Sequence, residues 1–228
     1  VLPVSISPAF KQLRQNGLRM LLVAVLAALY LFPLVRIFSM SFMSASELYA
    51  SAPSIFPKAF TLENYRSIFQ GNIPIFTFLK NTVIMALLIT AVQLAVSSIT
   101  AYALTGLDVP CKNLIFILIL GGMMIPFEST MLANYLFVAQ NGLRNQYLGL
   151  ILPFLLSPAG IFLMRQQFKS IPKEIYDAAA IDGCGPVRLF LRLLLPMTGN
   201  ALASLAILSM ITAWNQYIWP LLVTDKNE

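Results

Sequence analysis

Residues 81–107 read NTVIMALLITAVQLAVSSITAYALTGL and contain no charged side chain. Lys80 precedes this run and Asp108 follows it. A helix needs about 20 apolar residues to cross the hydrocarbon core of a bilayer. The run therefore predicts a membrane-spanning helix that is long enough to be tilted.

The composition of the whole chain agrees with a membrane protein. Of its 228 residues, 58% are hydrophobic and 11% are charged, whereas soluble domains carry about 25% charged residues. The chain has no histidine, so the commonest general base and zinc ligand is missing. We therefore expect an all-α polytopic protein in a lipid bilayer, with no catalytic residue, no metal site and no cofactor of its own. Its basic residues are scattered and form no continuous stripe, so we expect no nucleic-acid partner.

Four more apolar runs lie outward from this helix, separated by charged and helix-breaking residues. The run after Lys112 contains Gly121, Gly122 and Pro126, so we expect a helix that is broken within the membrane. Prolines and charges in residues 43–73 predict an external loop with one short helix at about 62–69. The five predicted spans are residues 18–42, 81–107, 113–138, 145–164 and 193–224.

The distribution of basic residues predicts the orientation. Five spans place the two termini on opposite sides of the membrane. With residues 1–17 as a cytoplasmic segment, nine of the fifteen basic residues lie on the cytoplasmic side, as the positive-inside rule requires. The first span lacks a small-x-small cleavage site, so we expect an uncleaved anchor. Residues 74–228 then form a transmembrane core with a cytoplasmic loop at 166–192.

That loop leads into the most informative stretch, residues 170–196, which read SIPKEIYDAAAIDGCGPVRLFLRLLLP. We expect a short helix that is capped by Ser170, has Pro172 in its first turn and stops at Gly183. Three- and four-residue spacing places Ile175, Ala178, Ala179 and Asp182 on one face. Such a face could enter a groove on a partner, with Asp177 offering a carboxylate to an arginine. The alternatives are a solvated loop helix and a helix lying flat on lipid.

This pattern resembles the EAA loop of bacterial ABC importer permeases, which have the type I transmembrane fold. The matching residues are Pro172-x-Glu174-x-x-Asp177-Ala178-Ala179-x-Ile181-Asp182-Gly183, followed by Leu195-Pro196. The resemblance implies a coupling helix that docks on a cytosolic ATPase dimer through Glu174, Asp177, Ala178, Ala179, Asp182 and Gly183. Asp177 stands where the family usually has glutamate, so its reach is one methylene shorter. No GxxxxGK[ST] motif is present, so ATP and Mg²⁺ are expected on the partner ATPase and this chain is not an enzyme.

Other stretches extend the resemblance over nearly the whole chain. They are Ile125-Pro126, NQYLGLILP at 145–153, FLMR at 162–165 and WNQYIWPLL at 214–222. They resemble the carbohydrate-uptake branch, in particular the second permease of its heterodimers, and WNQYIWPLL is similar to the permease of sn-glycerol-3-phosphate importers. The resemblance implies a bacterial inner-membrane importer of a sugar or sn-glycerol-3-phosphate, with a second permease subunit and an external solute-binding protein. The family has six spans, so we expect a sixth beyond the five visible here.

Polar groups in the spans suggest a substrate path. Glu128 is an acid beside an apolar run, and Ser129, Thr130 and Asn134 continue a polar stripe from it. Trp214, Asn215, Gln216 and Tyr217 combine ring faces with amides, which suits a sugar or polyol. The alternatives are an interfacial carboxylate, ordinary helix packing, and an interfacial aromatic belt that includes Trp219 and contacts the binding protein. Lys80 and Arg36 are the nearest cations for a phosphate-bearing solute.

Three other classes of protein compete with this interpretation. An ion-coupled secondary transporter would also use broken helices, but no internal repeat or coupling site is evident. An intramembrane protease would need an aspartate pair or a Ser-Lys dyad within the spans. A membrane scaffold would have no use for a capped, alanine-faced helix. Cys111 and Cys184 are interpreted as incidental, because two cysteines are too few for a disulfide framework or a metal cluster.

Overall fold

The computed structural model describes residues 8–50, 54–71 and 74–225, and within these ranges it contains helices and turns but no strand. The chain divides into two compact units, residues 1–75 and 76–228. The predicted cytoplasmic segment and external loop lie partly outside the described residues, at 1–7, 51–53 and 72–73.

The first unit contains one long helix and two short ones. Helix α1 spans Pro8–Met40, α2 spans Ala45–Leu48 and α3 spans Glu63–Gln70. The part of α1 from Arg19 to Met40 is long and apolar enough to cross a membrane, and Ser39 is its one buried residue. This confirms an apolar first span, although the helix begins well inside the segment expected to precede it. Helix α3 confirms the short helix predicted in the loop.

The loop of the first unit folds back on the end of α1. Asn64 donates hydrogen bonds from Nδ2 to the carbonyls of Ser41, at 3.1 Å, and Met43, at 2.8 Å. The ring of Phe42 stacks on that of Phe60 at 4.3 Å. Arg36 donates to the carbonyls of Ser54 and Ile55. Its guanidinium therefore holds the loop against the end of α1.

The second unit is a bundle of one long helix and several bent pairs. Helix α4 spans Ile75–Gly106 and is the second helix long enough to cross a membrane. Three pairs are bent by 93°, 54° and 78°, and each has the length and composition of one interrupted span. With each pair counted as one, up to five spans are present, as the sequence predicted. The first pair consists of α5 Lys112–Gly122 and α6 Phe127–Gln140. The second consists of α7 Tyr147–Ile151 with a 3₁₀ turn Leu152–Phe154, followed by α8 Pro158–Ser170. The third consists of α10 Pro186–Leu189, a π turn Phe190–Leu194 and α11 Leu195–Met197, followed by α12 Gly199–Trp214. Two short helices complete the unit, α9 Lys173–Ile181 and α13 Ile218–Val223.

A proline lies at or close to each of the three bends. Pro126 has extended backbone, with φ −61° and ψ 140°, directly before α6, and this confirms the broken third span. Between α11 and α12, Thr198 leaves the helical region with φ −99° and ψ 19°. Its hydroxyl donates to the carbonyls of Leu194 and Leu195, each at 3.0 Å. The N–H of Thr198 donates to the same two carbonyls, at 3.1 and 3.2 Å. Pro196, in the turn just before, has no N–H to donate to the preceding turn of the helix.

Two apolar clusters form at opposite ends of α4. The cluster at its amino end contains Met85, Ile89, Val138 and Trp219. The cluster at its carboxyl end contains Tyr102, Phe168, Phe190 and residues of α9 and α12. Trp219 is 1% exposed, so its assignment to an interfacial belt was wrong. Its ring packs edge-on against Phe127 at 5.7 Å, because α13 folds back onto α6 instead of extending α12.

Candidate functional site

The first candidate site is α9, the predicted coupling helix. Pro172 is its N-cap residue, with φ −55° and ψ 141°. Ser170 was expected to cap this helix, but it is the last residue of α8 and its hydroxyl donates to the carbonyl of Gln167 at 2.7 Å. The expectation was wrong because α8 continues to the residue before Ile171. Proline can begin α9 without a side-chain cap, since its φ already suits a helix start.

The carboxyl end of α9 forms a Schellman motif. Gly183 has φ +67°, and its N–H donates to the carbonyl of Ala180 at 3.1 Å. The N–H of Cys184 donates to the carbonyl of Ala179 at 2.9 Å. This pair of bonds defines the motif and confirms the predicted stop at Gly183. Cys184 is half-buried against the core, so it contributes the apolar contact that accompanies such a motif.

The two faces of α9 differ in exposure. Ala179 is 4% exposed, and Ile175 and Tyr176 pack beside it against the core. The face predicted from Ile175, Ala178, Ala179 and Asp182 is therefore divided, and Ala179 points into this chain. The exposed face consists of Glu174, Asp177, Ala178, Ile181 and Asp182, which follow three- and four-residue spacing. Ile181 is 86% exposed. The sequence analysis included it in the family pattern but gave it no docking role, although the same spacing places it on this face.

An aromatic cluster at the end of α4 holds α9 in place. Tyr102 stacks on Phe190 at 5.1 Å and meets Phe168 edge-on at 6.4 Å. The hydroxyl of Tyr102 donates to the carbonyl of Pro186 at 3.0 Å, and that of Tyr176 donates to the carbonyl of Phe168 at 3.1 Å. Burial, followed by the charge interaction with Tyr102, raises the pKa of the Tyr176 hydroxyl above its usual value. The helix is thus anchored on three elements of the bundle.

Gly106 allows this arrangement. A Cβ atom on Gly106 would lie 2.5 Å from the ring of Tyr102, so the ring covers the last turn of α4 directly. The same ring stacks on Phe190 of the π turn, and its hydroxyl donates to the carbonyl of Pro186 at the start of α10. Helix α9 and the aromatic residues that anchor it, Tyr102, Phe168 and Phe190, are therefore packed together at one end of the bundle.

The second candidate site is a polar pocket at the opposite end of α4. It has a volume of about 360 Å³ and is lined by side chains of α4, α7 and the α12–α13 connection. The hydroxyl of Tyr147 donates to Oδ1 of Asn81 at 2.7 Å. No acidic or basic side chain lines it among the described residues. Its polar lining residues are Asn81, Thr82, Asn145, Gln146, Tyr147, Gln216 and Thr224.

The predicted substrate-path residues do not form one group. Gln216 lines the polar pocket, while Trp214, Asn215 and Tyr217 are exposed outside its lining. Glu128 is exposed in the first turn of α6, and Asn134 is half-buried, with Nδ2 donating to the hydroxyl of Thr130 at 3.4 Å. No hydrogen bond given by the structure joins any two of these six described residues. Asn81 and Tyr147 were missed because their contact depends on packing between distant helices.

A bundle of interrupted membrane helices, with an anchored acidic helix at one end and an uncharged polar pocket at the other, has the architecture of a transport subunit. The whole chain matches the family described as the binding-protein-dependent transport system inner membrane component, over residues 2–227. The chain belongs to this family.

Relatives agree with this assignment. The chain is 35% identical to the arabinooligosaccharides transport system permease protein AraQ of Halalkalibacterium halodurans, over 90% of this chain and 74% of that protein. It is 36% identical to the sn-glycerol-3-phosphate transport system permease protein UgpE of Pectobacterium atrosepticum, over 91% of this chain and 75% of that protein. It is 34% identical to UgpE of Escherichia coli O1:K1, over 86% of this chain and 72% of that protein.

A solved structure shares the fold. It is the crystal structure of a bacterial ABC transporter involved in the import of the acidic polysaccharide alginate, with a TM-score of 0.84 at 22% identity. The match covers 98% of this chain and 78% of that chain. The chain thus has the fold of an ABC importer permease. Its relatives are transport permeases and not enzymes. The alternative interpretation, an ion-coupled secondary transporter, is not favoured.

Proposed function

We propose that this chain is one of two permease subunits of an importer that is driven by a cytosolic ATPase dimer and supplied by an external binding protein. The observation that carries the proposal is the exposed face of α9, where Glu174, Asp177 and Asp182 surround Ala178 and Ile181. The carboxylates can accept charge-assisted hydrogen bonds from arginines of the ATPase. The small Ala178 permits close approach, and Ile181 offers an apolar contact at the centre of the face.

The packing around α9 supports a mechanical role. When the ATPase dimer closes, α9 is expected to move with it. Because Tyr102, Phe168 and Phe190 tie α9 to α4, α8 and the π turn, such a movement would reach the spans directly. The bend at Thr198 then separates the moving end of the last pair from α12. Rigid-body motion of packed elements about a bend is an established way to switch between two states.

The proposal also sets the orientation. A cytosolic ATPase requires α9 on the cytoplasmic side. Because four of the predicted spans lie between the amino terminus and α9, the amino terminus is cytoplasmic as well. Lys112, Arg165 and Lys169 lie at the same end of the bundle as α9, which agrees with the positive-inside rule. The polar pocket is then at the external end, where solute is delivered.

The chemistry of the polar pocket favours an uncharged carbohydrate as the solute. Amide and hydroxyl groups can both donate and accept hydrogen bonds, as the hydroxyls of a sugar require. A phosphate-bearing solute would call for an arginine or lysine, and neither lines the pocket. Lys80 is exposed next to Asn81 in the sequence but is not part of the lining.

The experiment is an ATPase assay on the transporter purified with its native neighbours, given binding proteins loaded with neutral sugars or with sn-glycerol-3-phosphate. We expect a loaded sugar-binding protein to stimulate ATP hydrolysis. Asp177→Lys should abolish the stimulation and release the ATPase, because it places like charge against the arginines of the partner. Asp108→Lys is the matched control, since Asp108 is an exposed acid outside α9 at the same end, and it should retain stimulation.

Equal retention and stimulation of ATPase in the two variants would refute the role of α9. Stimulation by sn-glycerol-3-phosphate alone would refute the choice of an uncharged solute but leave the coupling role intact. A permease that purifies alone and still moves solute would reject the proposal as a whole.

A further inference from the structure

A second pocket at the α9 end of the bundle has a basic lining. It has a volume of about 410 Å³ and lies between the ends of α4 and α8, the start of α5 and the start of α9. Its walls include Leu104, Phe168 and Ile171, and no acidic side chain lines it among the described residues. Four cationic side chains line it, namely Lys112, Arg165, Lys169 and Lys173.

Arg165 is the buried member of this set. Its side chain is 5% exposed, and Cζ lies 3.9 Å from the centroid of the Phe116 ring. One hydrogen bond, from Nη2 to Oδ1 of Asn113 at 3.2 Å, holds the guanidinium, and Nε is buried without a partner. A guanidinium has five N–H donors, and burying a charge without a counter-charge is costly. Arg165 is therefore a buried cation that no acid among the described residues neutralises.

The surrounding lysines add to this unbalanced charge. No salt bridge joins Arg165 or the three lysines to an acid within the described residues. The ammonium of Lys112 has one weak contact, at 3.5 Å to the carbonyl of Leu107. Lys169 and Lys173 are exposed at the pocket. A planar guanidinium beside ammonium groups is the arrangement that binds phosphate oxygens.

The position of the pocket indicates where such a phosphate comes from. The pocket lies where α4 and α8 end and α5 begins, which is the level of the lipid headgroups for spans of this length. Leu114, Ile117 and Leu118 follow Lys112 on one exposed face of α5, with exposed fractions of 56%, 63% and 68%. An acyl chain could lie along this face while its headgroup occupies the basic pocket. Basic pockets between spans on the cytoplasmic side are known to bind anionic headgroups.

We propose that this pocket binds the phosphate group of an anionic phospholipid from the cytoplasmic leaflet, with Arg165 and the three lysines as its ligands. The assignment to that leaflet rests on the proposed function, whereas the binding chemistry does not. A bound headgroup would neutralise Arg165 beneath α9. Lipid binding would therefore stabilise the end of the bundle that carries the coupling helix.

The test is a titration of the purified transporter, in neutral detergent, with phosphatidylglycerol, using bound lipid and melting temperature as readouts. Lys169→Gln/Lys173→Gln should weaken binding about thirtyfold, since each lysine near the surface contributes roughly 1 kcal/mol and about 1.4 kcal/mol corresponds to a tenfold change in affinity. Arg188→Gln/Arg192→Gln is the matched control: both are exposed basic residues after α9, outside the pocket lining. It removes the same charge and should leave binding within about twofold of the parent.

Equal weakening in the two double variants would overturn the proposal, because the effect would then come from overall charge. Inorganic phosphate forms the second arm. If it stabilised the protein as much as phosphatidylglycerol does, the lipid would be excluded as the source. Because binding is measured without transport, a loss of ATPase coupling in the parent would refute the proposed function and leave this result unaffected.

Discussion

At the scale of single residues, Gly149 shows how little space some positions have. A Cβ atom there would lie 2.3 Å from the carbonyl oxygen of Leu143 and 3.1 Å from Cγ1 of Val138. Because the first obstacle is backbone, it cannot rotate away. We expect Gly149→Ala to destabilise the protein by about 1–3 kcal/mol, the usual cost of overpacking, and to lower its melting temperature in detergent.

The control for this prediction is Gly121→Ala. Gly121 also lies in a helix, but nothing would lie within 4 Å of its new Cβ. Alanine favours a helix over glycine by about 1 kcal/mol, so we expect no loss of stability. Equal melting temperatures for the two variants would show that Leu143 can move and that the contact is not restrictive.

At the scale of elements, the anchoring of α9 depends on Tyr102. Replacing Tyr102 with alanine would remove the ring that stacks on Phe190 and the hydrogen bond to Pro186. Tyr102→Phe would remove only the hydrogen bond, which contributes about 1 kcal/mol. We expect faster trypsin cleavage at Lys173 and Arg188, by about tenfold in the alanine variant and by a few-fold in the phenylalanine variant.

Cleavage within the first unit provides the control. Lys58 and Arg66 are exposed in its loop, and their cleavage should not change. If all four sites became more sensitive together, the substitution would have destabilised the whole protein. If none did, Tyr102 would not be the residue that anchors α9.

At the scale of the whole molecule, the orientation can be measured with the protein's own cysteine. Cys111 is exposed in the turn before α5, at the α9 end of α4, while Gln140 is exposed at the end of α6. The proposed orientation places Cys111 inside the cell and Gln140 outside. We expect a membrane-impermeant maleimide to label Gln140→Cys in intact spheroplasts, and Cys111 to react only in inverted vesicles.

Cys184 does not confuse this measurement, because it is half-buried at the same end as Cys111. A Cys184→Ser background confirms that any signal comes from the intended site. Labelling of Cys111 from outside intact spheroplasts would contradict the orientation and, with it, docking of α9 on a cytosolic ATPase.

The sequence by itself determined those features that depend on local chemistry. Long uncharged runs identified α4 and the broken spans, because the hydrocarbon core admits few charges over about 20 residues. Gly183 identified the end of α9, because few residues other than glycine adopt a positive φ there without strain. The family pattern around α9 was also evident, since its spacing lies within one short segment.

Only the tertiary structure decided which groups meet across distant parts of the chain. The inward position of Ala179, the burial of Trp219 and the pocket formed by Asn81, Tyr147 and Gln216 all depend on how bent helices pack. The uncompensated burial of Arg165 has the same origin. Periodicity divides a helix into faces, but which face is covered depends on the free energy of packing against neighbours that lie far away in the sequence.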